Sequence, residues 1–175
     1  MNNPKMIEHA KKRNLESNMK ISYYIEDLAS TSFSENSFDI VLSESVLQFT
    51  TISHTLPEIF RILKNNGMLI AIEMVQQSPL TDEEQHELTT FYGMKNIPTI
   101  ERWKELFSHY HLPVKKISTS TTIELIDNGD PTTEFSPISV IPQETFELLT
   151  HHEELTVKYA NKVSYCVFYA IKRAK

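Results

Sequence analysis

The stretch FSENSFDIVL, Phe33 to Leu42, decides the fold of this 175-residue chain. It ends in a short apolar run, which is typical of a strand buried on both faces of a sheet. LPEIFRILK, Leu56 to Lys64, follows with apolar residues at helical spacing, and Ser53 is predicted to cap this helix. Gly67 suits a left-handed turn before a second buried strand over 68–75. This spacing predicts an α/β domain with a largely parallel sheet.

The flanking segments continue the alternation of strands and helices. No repeat or linker interrupts them, so we expect a single domain over 1–175. The other predicted elements are, in chain order, a helix over 4–14, a β-prone strand over 20–25, a helix over 81–92 that a Thr81/Glu84 capping box begins, a helix from Thr99 whose face with Trp103 and Phe107 is expected to be core, a strand over 114–118, a long loop over 127–142, a helix over 143–159 and a strand over 163–171.

Charge and composition disfavour two classes of partner. The formal net charge is −6, whereas nucleic acids and anionic membranes attract clustered Lys and Arg. The basic run 11–13 is typical of a solvated helix face on such a chain. No stretch approaches the ~20 apolar residues of a membrane span. One cysteine and a polar amino terminus favour a cytoplasmic protein.

Residues 33–74 closely resemble the middle of the class I S-adenosylmethionine-dependent methyltransferases, of the type 11-like kind. Those domains read F-x-D-N-S-F-D-x-V into their fourth strand and E-I-x-R-x-L-K-P-G-G into their fifth. Weaker likenesses extend over 4–12, 103–107 and 163–172. The resemblance implies a Rossmann-like sheet with strand order 3-2-1-4-5-7-6, S-adenosylmethionine as cofactor, and methyl transfer to an unidentified small molecule.

The same resemblance implies an N-terminally truncated domain in which strands 1 and 2 are absent. The three glycines of the chain, Gly67, Gly93 and Gly129, do not form the family's cofactor-holding loop near its start. We therefore expect one partial domain over 1–175 with impaired cofactor binding. Segments 76–100 and 127–142 are expected to form the cap that selects the substrate.

Three positions match the cofactor side of the family. Asp27 resembles the acid that accepts a hydrogen bond from the adenine amino group, and the Leu28 N–H group would lie beside the ring. Ser43, at the end of the fourth strand, resembles the position beside the reactive methyl group. The residues alone are also compatible with a solvated strand end at Asp27 and an ordinary loop serine at Ser43.

By the same analogy, Gln48 and Phe49 face the substrate pocket, although both residue types are equally compatible with core or cap positions. Asp39 begins its strand, at the end opposite the ligand, and is interpreted as structural. No residue is assigned as catalytic.

Histidine and cysteine positions predict no metal site. His109 and His111 are two residues apart and His151 and His152 are adjacent, but no carboxylate or cysteine spacing completes a zinc site. Cys166 lies among apolar residues of the last strand, which predicts a buried, inert thiol.

The missing strands would leave the fourth strand, with Phe38, Ile40, Val41 and Leu42, as an exposed apolar edge. Such an edge pairs with another strand or aggregates. We therefore expect a homodimer, a complementing chain, or a rearrangement that covers it. This expectation carries the second functional hypothesis, a non-catalytic interaction or dimerisation fragment of a methyltransferase fold.

Overall fold

A computed structural model describes residues 4–17, 20–120 and 142–173, so most of the predicted cap loop 127–142 lies outside the described residues. The elements are α1 (Pro4–Ser17), β1 (Phe38–Glu44), a 3₁₀ turn (Leu47–Phe49), α2 (Ile52–Ile62), β2 (Leu63–Gln76), α3 (Asp82–Tyr92), α4 (Ile100–His109), β3 (Val114–Ser120), α5 (Gln143–Lys158) and β4 (Val163–Ile171).

The described strands form one sheet in the order β1-β2-β4-β3. This order matches the 4-5-7-6 part of the order that the resemblance implies, and the α/β class is confirmed. The described sheet is mixed: β1, β2 and β3 run in one direction, as expected of a largely parallel sheet, whereas β4 runs antiparallel to both β2 and β3. The alternation of strands and helices along the sequence does not encode this reversal.

The segment 20–25 is not a strand, in contrast to its prediction. Its residues have no regular structure, and Ile21, Tyr24 and Ile25 are largely exposed. A β-prone segment becomes a strand when a neighbour supplies the partners for its N–H and C=O groups. Here the hydroxyl of Tyr23 instead donates to the carbonyl oxygen of Ala10 in α1 at 3.1 Å.

The connection from α2 to β2 has no intervening loop. Thr51, not Ser53, is the N-cap residue of α2, and Leu63 both ends the helix and begins the strand. The left-handed conformation predicted for Gly67 belongs to Asn66, with φ 62°. Gly67 is required for a different reason: a Cβ atom there would lie 2.8 Å from the Lys64 carbonyl oxygen and 3.1 Å from that of Asp39. Glycine therefore permits a close approach of two backbones.

The main hydrophobic core lies between one face of the sheet and helices α2 and α4. Trp103 and Phe107 of α4 stack with ring centroids 5.5 Å apart, and both contact Phe168 of β4. The Trp103 Nε1–H group donates to the Met74 carbonyl oxygen at 3.3 Å, which satisfies the one polar atom of this buried ring. The core role predicted for this helix face is confirmed.

A second cluster joins helices α3 and α5 to the end of β2. Leu88 of α3 and Leu155 of α5 are buried against Met74. The predicted capping box of α3 is present, with Thr81 and Glu84 exchanging hydrogen bonds. The cap segment 76–100 thus packs on the sheet, and its part in substrate selection stays a prediction.

Lys172, just after β4, is a buried cation. Its Nζ atom donates to the Leu63 carbonyl oxygen at 2.6 Å and to Asn36 Oδ1 at 3.0 Å, and it lies 4.5 Å from the centroid of the Phe60 ring. These contacts satisfy the buried charge and tie the end of β4 to the junction between α2 and β2.

Two apolar side chains of β1 face solvent: Ile40 is 57% exposed and Leu42 is 64% exposed. No other described strand pairs with the free edge of β1. Within the described residues, no helix is long and apolar enough to cross a membrane.

Glu73 of β2 is a carboxyl group inside the main core, with 0% of its surface exposed. Its Oε1 atom accepts a hydrogen bond from the Leu47 N–H group at 3.1 Å. Its Oε2 atom has no hydrogen-bond partner among the described residues. Burial raises the pKa of Glu73 to about 7, and the N–H groups of Leu47, Gln48 and Val46 and the Ser43 hydroxyl partly offset this rise.

We expect Gly67→Ala to lower the free energy of unfolding by about 2 kcal/mol, because the new methyl group collides with backbone oxygens that cannot move aside independently. Asn66→Gly is the matched control, since glycine adopts the left-handed conformation of that position without strain. Urea denaturation of both variants checks the prediction. A Gly67→Ala protein as stable as the control would contradict the close approach.

We expect the stability of the protein to fall as pH rises from about 4.5 to about 7. The folded chain keeps the Glu73 proton in this window whereas the unfolded chain has released it, so deprotonation opposes folding, by up to about 3 kcal/mol. Glu73→Gln should lack this fall, because glutamine does not ionise while its amide oxygen can still accept from Leu47. Denaturation curves at several pH values measure the difference; parallel pH profiles for both proteins would contradict it.

Candidate functional site

The candidate site lies at the carboxyl ends of β1 and β2, where ligands gather in open α/β sheets. Its central feature is the wall loop, Ser45–Thr51, which leads from β1 to α2. Ser45 begins this loop with a positive φ of 51°, and its N–H group donates to the Ile72 carbonyl oxygen at 2.8 Å. The loop therefore turns back over the end of β2.

Gln48 fastens the wall loop to β2 through its side-chain amide. Its Nε2 atom donates to the Met74 carbonyl oxygen at 2.8 Å, and its Oε1 atom accepts from the Met74 N–H group at 3.3 Å. This pair reproduces the hydrogen bonding of a neighbouring strand. Both ends of the Gln48 amide thus bind the protein backbone.

Ser43 is buried at the end of β1, and its hydroxyl oxygen has no hydrogen-bond partner among the described residues. Ser43 pairs with Ala71 in the sheet, and Glu73, two residues along β2, presents its side chain on the same face. The Glu73 carboxyl group and the Ser43 hydroxyl therefore lie on one face of the sheet, beneath the wall loop, where the hydroxyl lowers the pKa of the carboxyl.

The first cleft, which we call the acidic cleft, has a volume of about 730 Å³. It brings together Asp27, Leu28 and Phe49, three of the five predicted site residues, but not Ser43 or Gln48. Two carboxyl groups, those of Glu26 and Asp27, line it. Its full lining is Glu26, Asp27, Leu28, Ala29, Val46, Phe49, Thr50, Thr51, His54 and Thr55.

A tight turn presents Asp27 to the acidic cleft. The Asp27 Oδ1 atom accepts from the Ala29 N–H group at 2.9 Å, and the Ser30 N–H group donates to the Asp27 carbonyl oxygen at 2.9 Å. Leu28, between them, packs against the main core. The neighbouring Glu26 carboxylate is engaged with the Ser32 N–H group and hydroxyl, which lower its pKa.

The second cleft, which we call the basic cleft, has a volume of about 550 Å³ and lies on the other side of the wall loop. Gln48 lines it, and it shares Thr50 and Thr51 with the acidic cleft. Lys95 and Arg102 supply its charged groups. The wall loop therefore separates a cavity lined by two carboxylates from a cavity lined by two cations, of which Arg102 is paired with Glu105 at 2.9 Å.

Sequence reasoning missed Glu73, which holds the wall loop from below. A signal was available in the run MLIAIEMV, since an unpaired carboxylate is rarely fully buried in an apolar strand. Sequence reasoning also missed His54 and Thr55 of α2, which line the acidic cleft. No spacing pattern along the sequence singles these two residues out.

Other predicted chemistry lies away from the clefts. The predicted burial of Cys166 is confirmed, and this burial raises the pKa of its thiol to about 11, which disfavours the reactive thiolate. His152 binds the Tyr92 hydroxyl through Nδ1 at 3.0 Å. Asp39 pairs with Lys64 at 2.8 Å, at the end of β1 that lies away from the clefts, which agrees with its interpretation as a structural residue. The described residues contain no group of three potential metal ligands.

Comparison with known proteins identifies the family. A family model described as a methyltransferase domain matches residues 2–71. The chain is 33% identical over 169 residues to the uncharacterized methyltransferase YodH of Bacillus subtilis, and the match covers 97% of this chain and 72% of that protein. It is 30% identical over 97 residues to the demethylmenaquinone methyltransferase of Bacteroides fragilis, covering 54% of this chain and 38% of that protein.

Solved structures show the same fold at low sequence identity. Phosphoethanolamine N-methyltransferase 2 of Haemonchus contortus superposes with a TM-score of 0.71 and 17% identity, over 94% of this chain and 40% of that one. Geranyl diphosphate C-methyltransferase of Streptomyces coelicolor superposes with a TM-score of 0.71 and 12% identity, over 97% of this chain and 59% of that one. The strand order and these likenesses agree with the Bacillus match: the chain belongs to the class I S-adenosylmethionine-dependent methyltransferases.

Proposed function

We propose that the protein transfers the methyl group of S-adenosylmethionine to a small molecule, with the cofactor in the acidic cleft and the acceptor in the basic cleft. One observation carries the proposal. Asp27, Leu28 and Phe49, which are far apart in sequence, line a single cleft at the carboxyl end of β1. Family membership supports methyl transfer as the reaction, and the cleft supports these residues as its cofactor side.

The residues of the acidic cleft fit this cofactor by their chemistry. The Asp27 carboxylate is an acceptor for an adenine amino group, and Leu28 and the half-exposed Phe49 ring supply apolar surface for a flat base. The carboxylates of Glu26 and Asp27 also favour a positively charged sulfonium. When bound, the cofactor supplies an electrophilic methyl group, and the chain contributes binding, orientation and exclusion of water.

Ser43 lies beneath the wall loop, and Gln48 belongs to it. The Ser43 hydroxyl is buried near Glu73, whose pKa it lowers, and it lines neither cleft, so its place beside the reactive methyl group stays a prediction. The Gln48 amide binds Met74, so this residue serves the acceptor side by shaping the wall of the basic cleft. Phe49 faces the acidic cleft, and its contact with the acceptor stays a prediction.

The acceptor is proposed to be a small molecule that enters the basic cleft. Lys95, Ile97 and Thr99 of the cap segment line this cleft, so the cap is placed to select among acceptors. A cavity of about 550 Å³ is in the range of small-molecule sites. The net charge of −6 and a single buried cysteine support a cytoplasmic enzyme that does not act on nucleic acid.

A second candidate function is protein association through β1, which the exposed Ile40 and Leu42 favour. An unpaired strand with solvent-facing apolar residues pairs readily with another strand. A homodimer or a complementing chain would cover this edge. This candidate is compatible with methyl transfer, because the edge and the two clefts involve different side chains.

Isothermal titration with S-adenosylhomocysteine tests the cofactor side without turnover. We expect binding between micromolar and millimolar, about −8 to −4 kcal/mol, in line with the impaired cofactor binding that the positions of the three glycines predict. Asp27→Ala should weaken it about tenfold, since it removes a hydrogen-bond acceptor for the base. Asp39→Ala is the matched control, because Asp39 is an exposed carboxylate at the other end of β1. Absence of binding at millimolar ligand would refute the proposal for this chain, and equal losses in both variants would remove Asp27 from the site.

Size-exclusion chromatography with light scattering tests the association. We expect a dimer for the native chain and a monomer for Leu42→Lys, because a charge on the exposed face opposes pairing. Lys116→Glu is the control, since it changes charge on β3 at the other edge of the sheet. A native chain that remains monomeric at high concentration would rule out the homodimer.

A further inference from the structure

Three residues of β2 hold the wall loop. Ile72 accepts the Ser45 N–H group at 2.8 Å, Glu73 accepts the Leu47 N–H group at 3.1 Å, and Met74 exchanges two hydrogen bonds with the Gln48 amide. The contacts of Ile72 and Met74 use the backbone of β2, and side-chain substitutions in β2 leave them in place. Among the described residues, Glu73 is the one position of β2 whose side chain binds the loop.

The hydrogen bond of Glu73 lies at the centre of the partition. Leu47 begins the 3₁₀ turn, and the residues around it divide between the clefts. Val46 and Phe49 line the acidic cleft, whereas Gln48 lines the basic one. A displacement at Leu47 therefore changes the shape of both cavities and their separation.

Burial of Glu73 is not explained by stability. A carboxyl group with 0% exposure and one unpartnered oxygen costs free energy relative to an apolar side chain of similar volume. Such a group is expected where its hydrogen bond has another use. The position of its one bonded partner, in the wall between the clefts, indicates that use.

We propose that Glu73 is a positioning residue for methyl transfer, which fixes the wall loop between the cofactor and the acceptor by holding the Leu47 N–H group. The inference rests on the proposed function. Small displacements of the groups that orient two reactants slow their reaction strongly, so a buried side chain that fixes the partition contributes without contacting either one.

Three variants separate positioning from general stability. Glu73→Met keeps the side-chain volume and removes the acceptor, and Glu73→Gln restores an amide oxygen in the same place. Leu69→Ala removes buried apolar surface from the same face of β2 and breaks no hydrogen bond. Amide hydrogen exchange of residues 47–50, the melting temperature and the S-adenosylhomocysteine affinity are measured for each protein.

We expect Glu73→Met to raise exchange at 47–50 at least tenfold and to weaken S-adenosylhomocysteine binding at least fivefold, without a lower melting temperature. Glu73→Gln should restore the exchange rate at 47–50 and the S-adenosylhomocysteine affinity to within twofold of the native values. Leu69→Ala should lower the melting temperature and leave exchange at 47–50 unchanged.

Two results would overturn the proposal. The first is unchanged amide hydrogen exchange at 47–50 in Glu73→Met. The second is an equal rise of that exchange in Glu73→Met and Leu69→Ala, which would make Glu73 a stabilising residue without a positioning role. A native chain that fails to bind S-adenosylhomocysteine refutes the proposed function and with it the role in methyl transfer. The exchange data still decide separately whether Glu73 holds the loop.

Discussion

Hydrogen bonding along β2 is the interaction on which the rest of the structure depends. β2 pairs with β1 on one side and with β4 on the other, so it carries the middle of the sheet. In its first half, Gly67 permits the close approach of the β2 and β1 backbones. At its end, residues 72–74 hold the wall loop. One strand thus connects the packing of the core to the geometry of the two clefts.

Much of the fold could be predicted because its signals are local. The run 38–42, the capping box of α3 and the core face around Trp103 each depend on neighbouring residues, and each is present. The strand expected at 20–25 is absent, because a strand also requires a partner that no local pattern reveals. The clefts were predictable in part: Asp27 and Phe49 were found by family resemblance, whereas the bond between Leu47 and Glu73 joins residues 26 apart.

The charged residues that line the two clefts agree with the ligands proposed for them. Carboxylates line the side proposed for a cationic cofactor, and Lys95 and Arg102 line the side proposed for the acceptor. Under this proposal, the opposite charges favour each ligand on its own side of the wall loop. The wall loop is short, and its hydrogen bonds to residues 72–74 of β2 hold it in place between the two clefts. In this proposal, side chains of the two clefts contact the ligands, whereas β2 holds the loop that separates the ligands.

The position of β4 has a consequence for how the chain acquires its shape during synthesis. β4 is translated after β1, β2 and β3, yet it lies between β2 and β3. A ribosome therefore releases β2 with one edge open and β3 with no neighbour, and both wait for a strand about 45 residues beyond β3, a length of chain that takes seconds to make. Lys172 then secures the inserted strand against Leu63 and Asn36. Both β2 and β3 therefore keep an unpaired edge until β4 emerges.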